Sequence, residues 1–407
     1  MPACNIGVMP QVATTHFVSH FHIMSLPALL PILPSFLEVG YVELGIALSL
    51  FNIVSAVVQA PMGYATDRYG ARRVLVFGLA LGSMSFLAMA IAPSYACLLV
   101  TMILAGVANA VYHPANYSLL SQGINPARMG KAFSIHTFAG FLGAAIAPAL
   151  LLGVVALSGP RAAFVITSVM GFVALAFLLM TRTGFVYVTT TQLTETPSCH
   201  TPNRQVKQAL THTIGVLILL FLLLSLSSGG IEKFSVAALL QGQPLTLTWA
   251  NAALTAFLFA SAFGVLFGGV LADQTIHHGL VAAAALACAS ILVGIVTLDI
   301  LDELALVVVL GVAGFLTGLI APSRDMLVLA AAPKGKEGKT FGIVSTGFSL
   351  GGIIGPILYG WLLDRGQPNG VFWFCAAFMV LTVALALFQE RHLHWSRAST
   401  KELITAP

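Results

Sequence analysis

Arg324 and Asp325 stand together in "GLIAPSRDMLV", inside a long apolar stretch. A guanidinium binds a carboxylate or phosphonate through two parallel hydrogen bonds. Asp325 could carry a proton or lock to a neighbouring helix; residues next to each other on a helix diverge, so the two cannot aim at one spot. In "NAVYHPANYSLL", Asn109, His113 and Asn116 recur at i, i+4 and i+7, which is one helical face. Pro114 removes a backbone donor there and frees a carbonyl. In "SLSSGGIEKFS", Ser225, Ser228 and Glu232 share a face beside Lys233. A carboxyl in apolar surroundings takes up a proton readily. The Gly229–Gly230 pair would permit a break in that helix. His16 and His20 share a face in "THFVSHFH", His22 points elsewhere, and imidazole changes charge at roughly pH 5 to 8. Each group has a plainer alternative. His113 and His136 could only pack, His16 could be interfacial, Arg324 could pair with Asp325 or meet a helix end, and Glu232 could be solvated near an outer surface.

The elements that must position these groups are long and apolar. The chain has 407 residues, 58% hydrophobic and 8% charged, with a mean hydropathy of +0.95. A soluble domain carries about 25% charged residues. About 20 apolar residues cross a bilayer as a helix, and runs of that kind recur throughout. The pattern predicts twelve spans: 16–37, 42–65, 74–92, 96–120, 132–157, 162–180, 213–240, 249–272, 280–298, 304–331, 341–363 and 371–388. Barrel strands would alternate polar and apolar residues, so the expected class is an all-α integral membrane protein. The first span lacks a basic leader and reads as no cleavable signal. The five cysteines show no metal or disulfide spacing. "HLH" at His392–His394 is a weak metal pattern in a tail, and neither a metal nor a cofactor is expected.

Lysine and arginine set the orientation. With both termini cytoplasmic, 14 of the 18 basic residues fall in cytoplasmic segments, Arg161 and Arg365 lie outside, and Lys233 and Arg324 lie within spans. The net charge of +4 is thus a topology signal rather than a nucleic-acid patch.

The chain repeats itself. Pro114 and Pro322, Gly130–Lys131 and Gly338–Lys339, Gly143 and Gly351, and Pro148 and Pro356 are each 208 apart. Gly63 and Gly269, and Asp67 and Asp273, are 206 apart. The predicted organisation is a bundle over 1–181, a polar cytoplasmic linker over 182–211, and a second bundle with a short tail over 212–407.

"GYATDRYGARR", Gly63 to Arg73, resembles the loop signature of the major facilitator superfamily. Here Gly63 would allow close helix approach, Asp67 would face a helix N-terminus, Gly70 would make the turn, and Arg68, Arg72 and Arg73 would hold the cytoplasmic side. Ala71 departs from the pattern, and the second copy, around Asp273, replaces the arginine with Gln274. "THFVSHFHIMSLPALLPIL" and "VYHPANYSLL" resemble the fosmidomycin-resistance branch, matching at His16 and His113–Pro114, with His20 where an acidic residue is expected. "GFLGAAIAP" and "GGIIGP" resemble the fifth-helix motif of superfamily antiporters, a slight lean toward export.

The resemblance implies twelve helices in two pseudo-symmetric six-helix bundles, with the first, fourth, seventh and tenth lining a central cavity. The expectation is a proton-coupled transporter of a small organic anion working by alternating access. Arg324, His113, Asn116, Asn109, Thr317 and His20 would bind substrate, and Glu232, Asp325 and His20 would carry protons. An exporter of the fosmidomycin-resistance type, an uptake symporter and a non-transporting sensor or scaffold are the alternatives. No nucleotide-binding loop or hydrolase motif is present. The expected setting is a bacterial inner membrane, the expected partners are substrate, protons and lipid, and the expected state is a monomer.

Overall fold

The computed structural model describes residues 4–5, 7–125, 129–182, 204–274, 278–331 and 337–405, with side chains over 7–125, 132–181, 213–271, 279–324, 326–328, 331 and 343–388. Twelve long helices and one short one account for nearly all of these residues. The first half holds β1 (Cys4–Asn5), α1 (Val8–Leu29), α2 (Leu33–Leu37), α3 (Tyr41–Tyr69), α4 (Ala71–Ile91), α5 (Tyr95–Gly123), α6 (Met129–Ser158), α7 (Pro160–Met180) and β2 (Thr181–Arg182). The second holds α8 (Arg204–Gly242), α9 (Leu247–Gln274), α10 (His278–Val296), α11 (Glu303–Ala331), α12 (Glu337–Asp364) and α13 (Pro368–Thr405).

Eleven of the twelve long helices are long and apolar enough to cross a membrane. The exception is α1, whose sequence includes Gln11, Thr15, His16, Ser19, His20 and His22. The hydropathy pattern places this span at 16–37. It starts at Val8 instead, because Gln11 and Thr15 are buried inside the unit rather than facing lipid. It stops at Leu29 because Pro31 and Pro34 follow, and a proline cannot donate to the preceding turn. Helix α8 already begins at Arg204, within the expected linker, whose residues 183–203 lie outside those described.

The fold divides into Met1–Ala209 and Leu210–Pro407. In the first unit α1 packs on α6, α3 on α5, and α4 on α5 and α7. In the second α9 packs on α11, and α10 on α11 and α13. The repeat extends to single contacts. A Cβ placed on Gly106 of α5 would lie 2.7 Å from the Phe51 carbonyl oxygen of α3. A Cβ on Gly314 of α11 would collide with the Phe257 carbonyl of α9. Gly106 and Gly314 are 208 apart and Phe51 and Phe257 are 206 apart, so one close crossing is built twice. Small residues at such crossings bring backbones together where lipid gives no hydrophobic drive.

A short parallel strand pair joins Cys4–Asn5 to Thr181–Arg182, tying the start of the first unit to the end of α7.

Gly314→Ala should cost about 1–3 kcal/mol through overpacking against backbone, seen as a lower thermal midpoint of detergent-solubilised protein. Gly153, with nothing within 4 Å of a built Cβ, is the control. Equal midpoints for Gly314→Ala and Gly153→Ala would contradict the close crossing.

Candidate functional site

Four histidines converge in the first unit. His16 and His20 come from consecutive turns of α1, His113 from α5 and His136 from α6. The His16 ring stacks on His136 with centroids 3.7 Å apart, and lies 4.5 Å from the His20 ring and 5.4 Å from that of His113. Tyr117, one turn beyond His113, packs against both His113 and His136, at 5.9 and 5.6 Å. Helix α6 makes room for this arrangement: a Cβ on Gly140 would come within 2.6 Å of His16 Nε2 and 2.9 Å of His20 Cδ2. The interfacial reading of His16 is therefore corrected. It lies two turns into α1 and is only 4% exposed. His136, also buried, belongs to the same cluster. Sequence reasoning singled out neither His16 nor His136 as a site residue. The available signal was the spacing of His136, Gly140 and Gly143 at i, i+4 and i+7, a small-residue face with one imidazole on it.

His22 is separate. It is buried among α1, α4 and α7, with Nε2 3.1 Å from the Thr167 carbonyl and its ring 5.0 Å from Phe86. This is a structural histidine.

The face of α5 meets several partners. Asn109 Nδ2 donates to Ser55 Oγ of α3 at 2.8 Å. Asn116 is fully buried against α1, where Thr15 Oγ1 donates to its Oδ1 at 2.9 Å, and its Nδ2 has no partner among the described residues. Only His113 of the three joins the histidine cluster.

At the helix ends, Gly70 alone separates α3 from α4, at φ 90°, a conformation that favours glycine. Gly63 does not mark a tight approach: a Cβ there would meet Pro114 Cβ at 3.9 Å, an ordinary contact. Asp67, Arg68 and Arg73 are exposed, and Arg68 reaches the Tyr64 hydroxyl at 3.2 Å. Arg72 turns inward, donating to the carbonyls of Leu178 and Thr181 at the end of α7 and to Gln11 Oε1 of α1 at 3.3 Å. A cation there satisfies carbonyls that the helix leaves unpaired.

In the second unit, the Arg324 guanidinium of α11 lies over two aromatic rings, 5.0 Å from the Phe221 centroid of α8 and 4.9 Å from the Phe348 centroid of α12. The two rings are themselves 4.7 Å apart. Cation–π contact of this kind fixes the plane of the guanidinium fork. Thr317 Oγ1 is turned back onto the Gly314 carbonyl of its own helix at 2.8 Å. Glu232 and Lys233 are half-buried neighbours on α8, with Ser228 beside Glu232. Ser225 Oγ, by contrast, donates to the Phe348 carbonyl at 3.0 Å. The expected break at Gly229–Gly230 is absent, since α8 is continuous. Gly230 serves close packing instead: a Cβ there would lie 2.7 Å from the Tyr359 ring. The side chains of Asp325 and Asp273 lie outside the described residues.

Two repeated units of membrane-length helices, with polar groups gathered inside each, define a multi-pass membrane transporter. The chain belongs to the Major Facilitator Superfamily, whose profile matches residues 12–231 and again 213–406. It is a transporter, not an enzyme. It is similar to the Fosmidomycin resistance protein of Escherichia coli, 24% identical over 397 residues, covering 96% of this chain and 94% of that one. It is also similar to a protein of Cupriavidus necator named "Probable sulfoacetate transporter", 25% identical over 408 residues, covering 94% and 92%. Its fold matches the crystal structure of a bacterial homolog of the human lysosomal transporter Spinster, inward-facing and unoccupied. That match has a TM-score of 0.74 at 13% identity, covering 94% and 96% of the two chains.

Arg72→Ala should lower the thermal midpoint clearly, since it leaves the Thr181 carbonyl and Gln11 Oε1 without that donor and the Leu178 carbonyl with only the Thr181 hydroxyl; each buried group so orphaned costs about 1–3 kcal/mol. Arg73→Ala, on the exposed side of the same turn, should leave it unchanged. Equal loss in both would mean that the inward hydrogen bonds contribute nothing.

Proposed function

We propose that this transporter moves a small organic anion and couples it to protons by alternating access. The observation that carries the reading is the Arg324 guanidinium, held by two aromatic rings in a half-buried position on a mostly apolar helix. A charge among apolar residues of a spanning helix is costly, and such residues mark substrate and ion pathways. A fork already fixed in orientation loses little further entropy on binding a carboxylate, sulfonate or phosphonate. The likeness to the probable sulfoacetate transporter supports an anionic substrate.

Thr317 lies two turns before Arg324 on the same helix and would line the same path. In the first unit His113 and His20 are the groups offered to substrate, while Asn109 and Asn116 hold α5 to α3 and α1. Glu232 is the proposed proton carrier, with Asp325 and His20 as further protonatable groups. Neutralising Glu232 would leave the adjacent Lys233 charge uncompensated, which links its protonation to an anion's arrival or departure. The lysine and arginine distribution supports cytoplasmic termini in a bacterial inner membrane.

Efflux is the second reading, supported by the likeness to the Fosmidomycin resistance protein. Flux in right-side-out and inverted vesicles separates it from uptake.

In proteoliposomes, Arg324→Ala and His113→Ala should each reduce counterflow of a labelled organic acid at least roughly tenfold, the equivalent of about 1.4 kcal/mol, while the protein remains folded. Wild-type rates in both would reject the site. Collapsing the pH gradient should abolish concentrative transport, and accumulation that persists would reject proton coupling.

A further inference from the structure

We propose that His16, His113 and His136 form a binding site for a divalent transition-metal ion of the zinc or cobalt kind, with a fourth coordination position open to water or an oxygen anion. One ring nitrogen from each lies within 4.8 Å of the others, and the three come from three helices, α1, α5 and α6. The second observation is independent of that proximity. His136 is 1% exposed, and neither of its ring nitrogens has a hydrogen-bond partner among the described residues. His16 is 4% exposed, and its Nδ1 lacks one too. A neutral imidazole carries one donor and one acceptor. Leaving these buried and unmatched is costly, and a metal ion matches the acceptors directly.

The donor set selects the ion. Imidazole suits zinc, cobalt, nickel and copper, whereas magnesium and calcium want oxygen ligands. Metal–nitrogen bonds of about 2.0–2.1 Å place tetrahedral nitrogens about 3.4 Å apart. The His16 and His136 rings stack face to face here, so at least one of them turns out of the stack about its soft terminal torsion to bring both nitrogens onto one ion. The surroundings already restrict them: Gly140 leaves the His16 ring its place, and Tyr117 packs on His113 and His136.

The same donor set defines the fourth ligand. Three neutral imidazoles supply no negative charge, and among the described residues no carboxylate or thiolate belongs to the group. A doubly charged ion inside a membrane bundle therefore draws in hydroxide or an anionic oxygen. Three protein ligands with one open position is the arrangement of a site that exchanges ligands, rather than that of a closed structural site.

The test is binding to purified, untagged protein in detergent, so its outcome is independent of the transport reading. After chelator treatment, cobalt(II) should bind at one equivalent with the visible absorption of a four-coordinate site and raise the thermal midpoint. Zinc should displace it, and magnesium should have no effect. His136→Phe preserves a ring against His16 and should weaken cobalt binding at least roughly tenfold, about 1.4 kcal/mol. His392→Ala with His394→Ala removes the tail histidines and should change nothing. The proposal is overturned if wild-type protein takes up no equivalent of cobalt or zinc, if binding survives His136→Phe, or if the tail variant abolishes it. Should His136→Phe fail to fold, X-ray absorption of the wild-type zinc complex decides: three imidazole nitrogens are expected, and fewer overturn the assignment.

Discussion

The polar side chains of α1 cannot face lipid, and much of the first unit is arranged around that constraint. Gln11, Thr15, His16, Ser19, His22 and Ser25 are all buried on one 22-residue helix. Each finds something inside the unit: Thr181 for Gln11, Asn116 for Thr15, the Thr167 carbonyl for His22, and the other imidazoles for His16. Serving them requires α5, α6 and α7 to surround α1, which explains why Gly140 and Gly143 of α6 press against its backbone and rings. It also explains why α1, alone among the long helices described, lacks an apolar stretch of membrane length. The helix that looks least like a membrane span has, among the described residues, the most buried polar side chains.

The second unit repeats the scaffold but not the chemistry. Residues 208 apart give the comparison: Asn116 corresponds to Arg324, His136 to Val344, and Gly140 to Phe348. Where Gly140 leaves room for imidazoles, Phe348 fills the space and supports the Arg324 guanidinium. Where His136 stacks on His16, Val344 joins a small apolar core with Leu217, Leu220, Phe221 and Val328. The backbone crossing at Gly106 and Gly314 is unchanged between the copies because it involves main-chain atoms, which side-chain divergence does not disturb.

That distinction governs what could be read from the sequence. Helices, repeat and family were legible because hydropathy and glycine spacing are properties of single segments. The face carrying Asn109, His113 and Asn116 was also legible, but periodicity names a face without naming its neighbours. Asn109 and Asn116 turned out to bind α3 and α1, and His113 alone reached the cluster. His136 was passed over because a single buried histidine in an apolar run is ordinary, and its meaning depends on two helices distant in sequence. Gly63 and Gly230 show the same limit in reverse. The first was assigned a close approach that it does not make, and the second a flexible break in a helix that is continuous.

The contrast between the two copies also bears on whether the histidine cluster is only packing. A protein interior gains stability by replacing unsatisfied polar groups with apolar ones of similar volume. The second unit does this at the position of His136, where Val344 is fully buried in apolar company. The same fold therefore accommodates the stable solution. The first unit keeps four imidazoles within contact distance, two of them with buried ring nitrogens that none of the described residues matches. Packing alone gives no reason to retain that arrangement. A ligand that binds the ring nitrogens does, because it recovers the free energy that the folded unit forgoes without it.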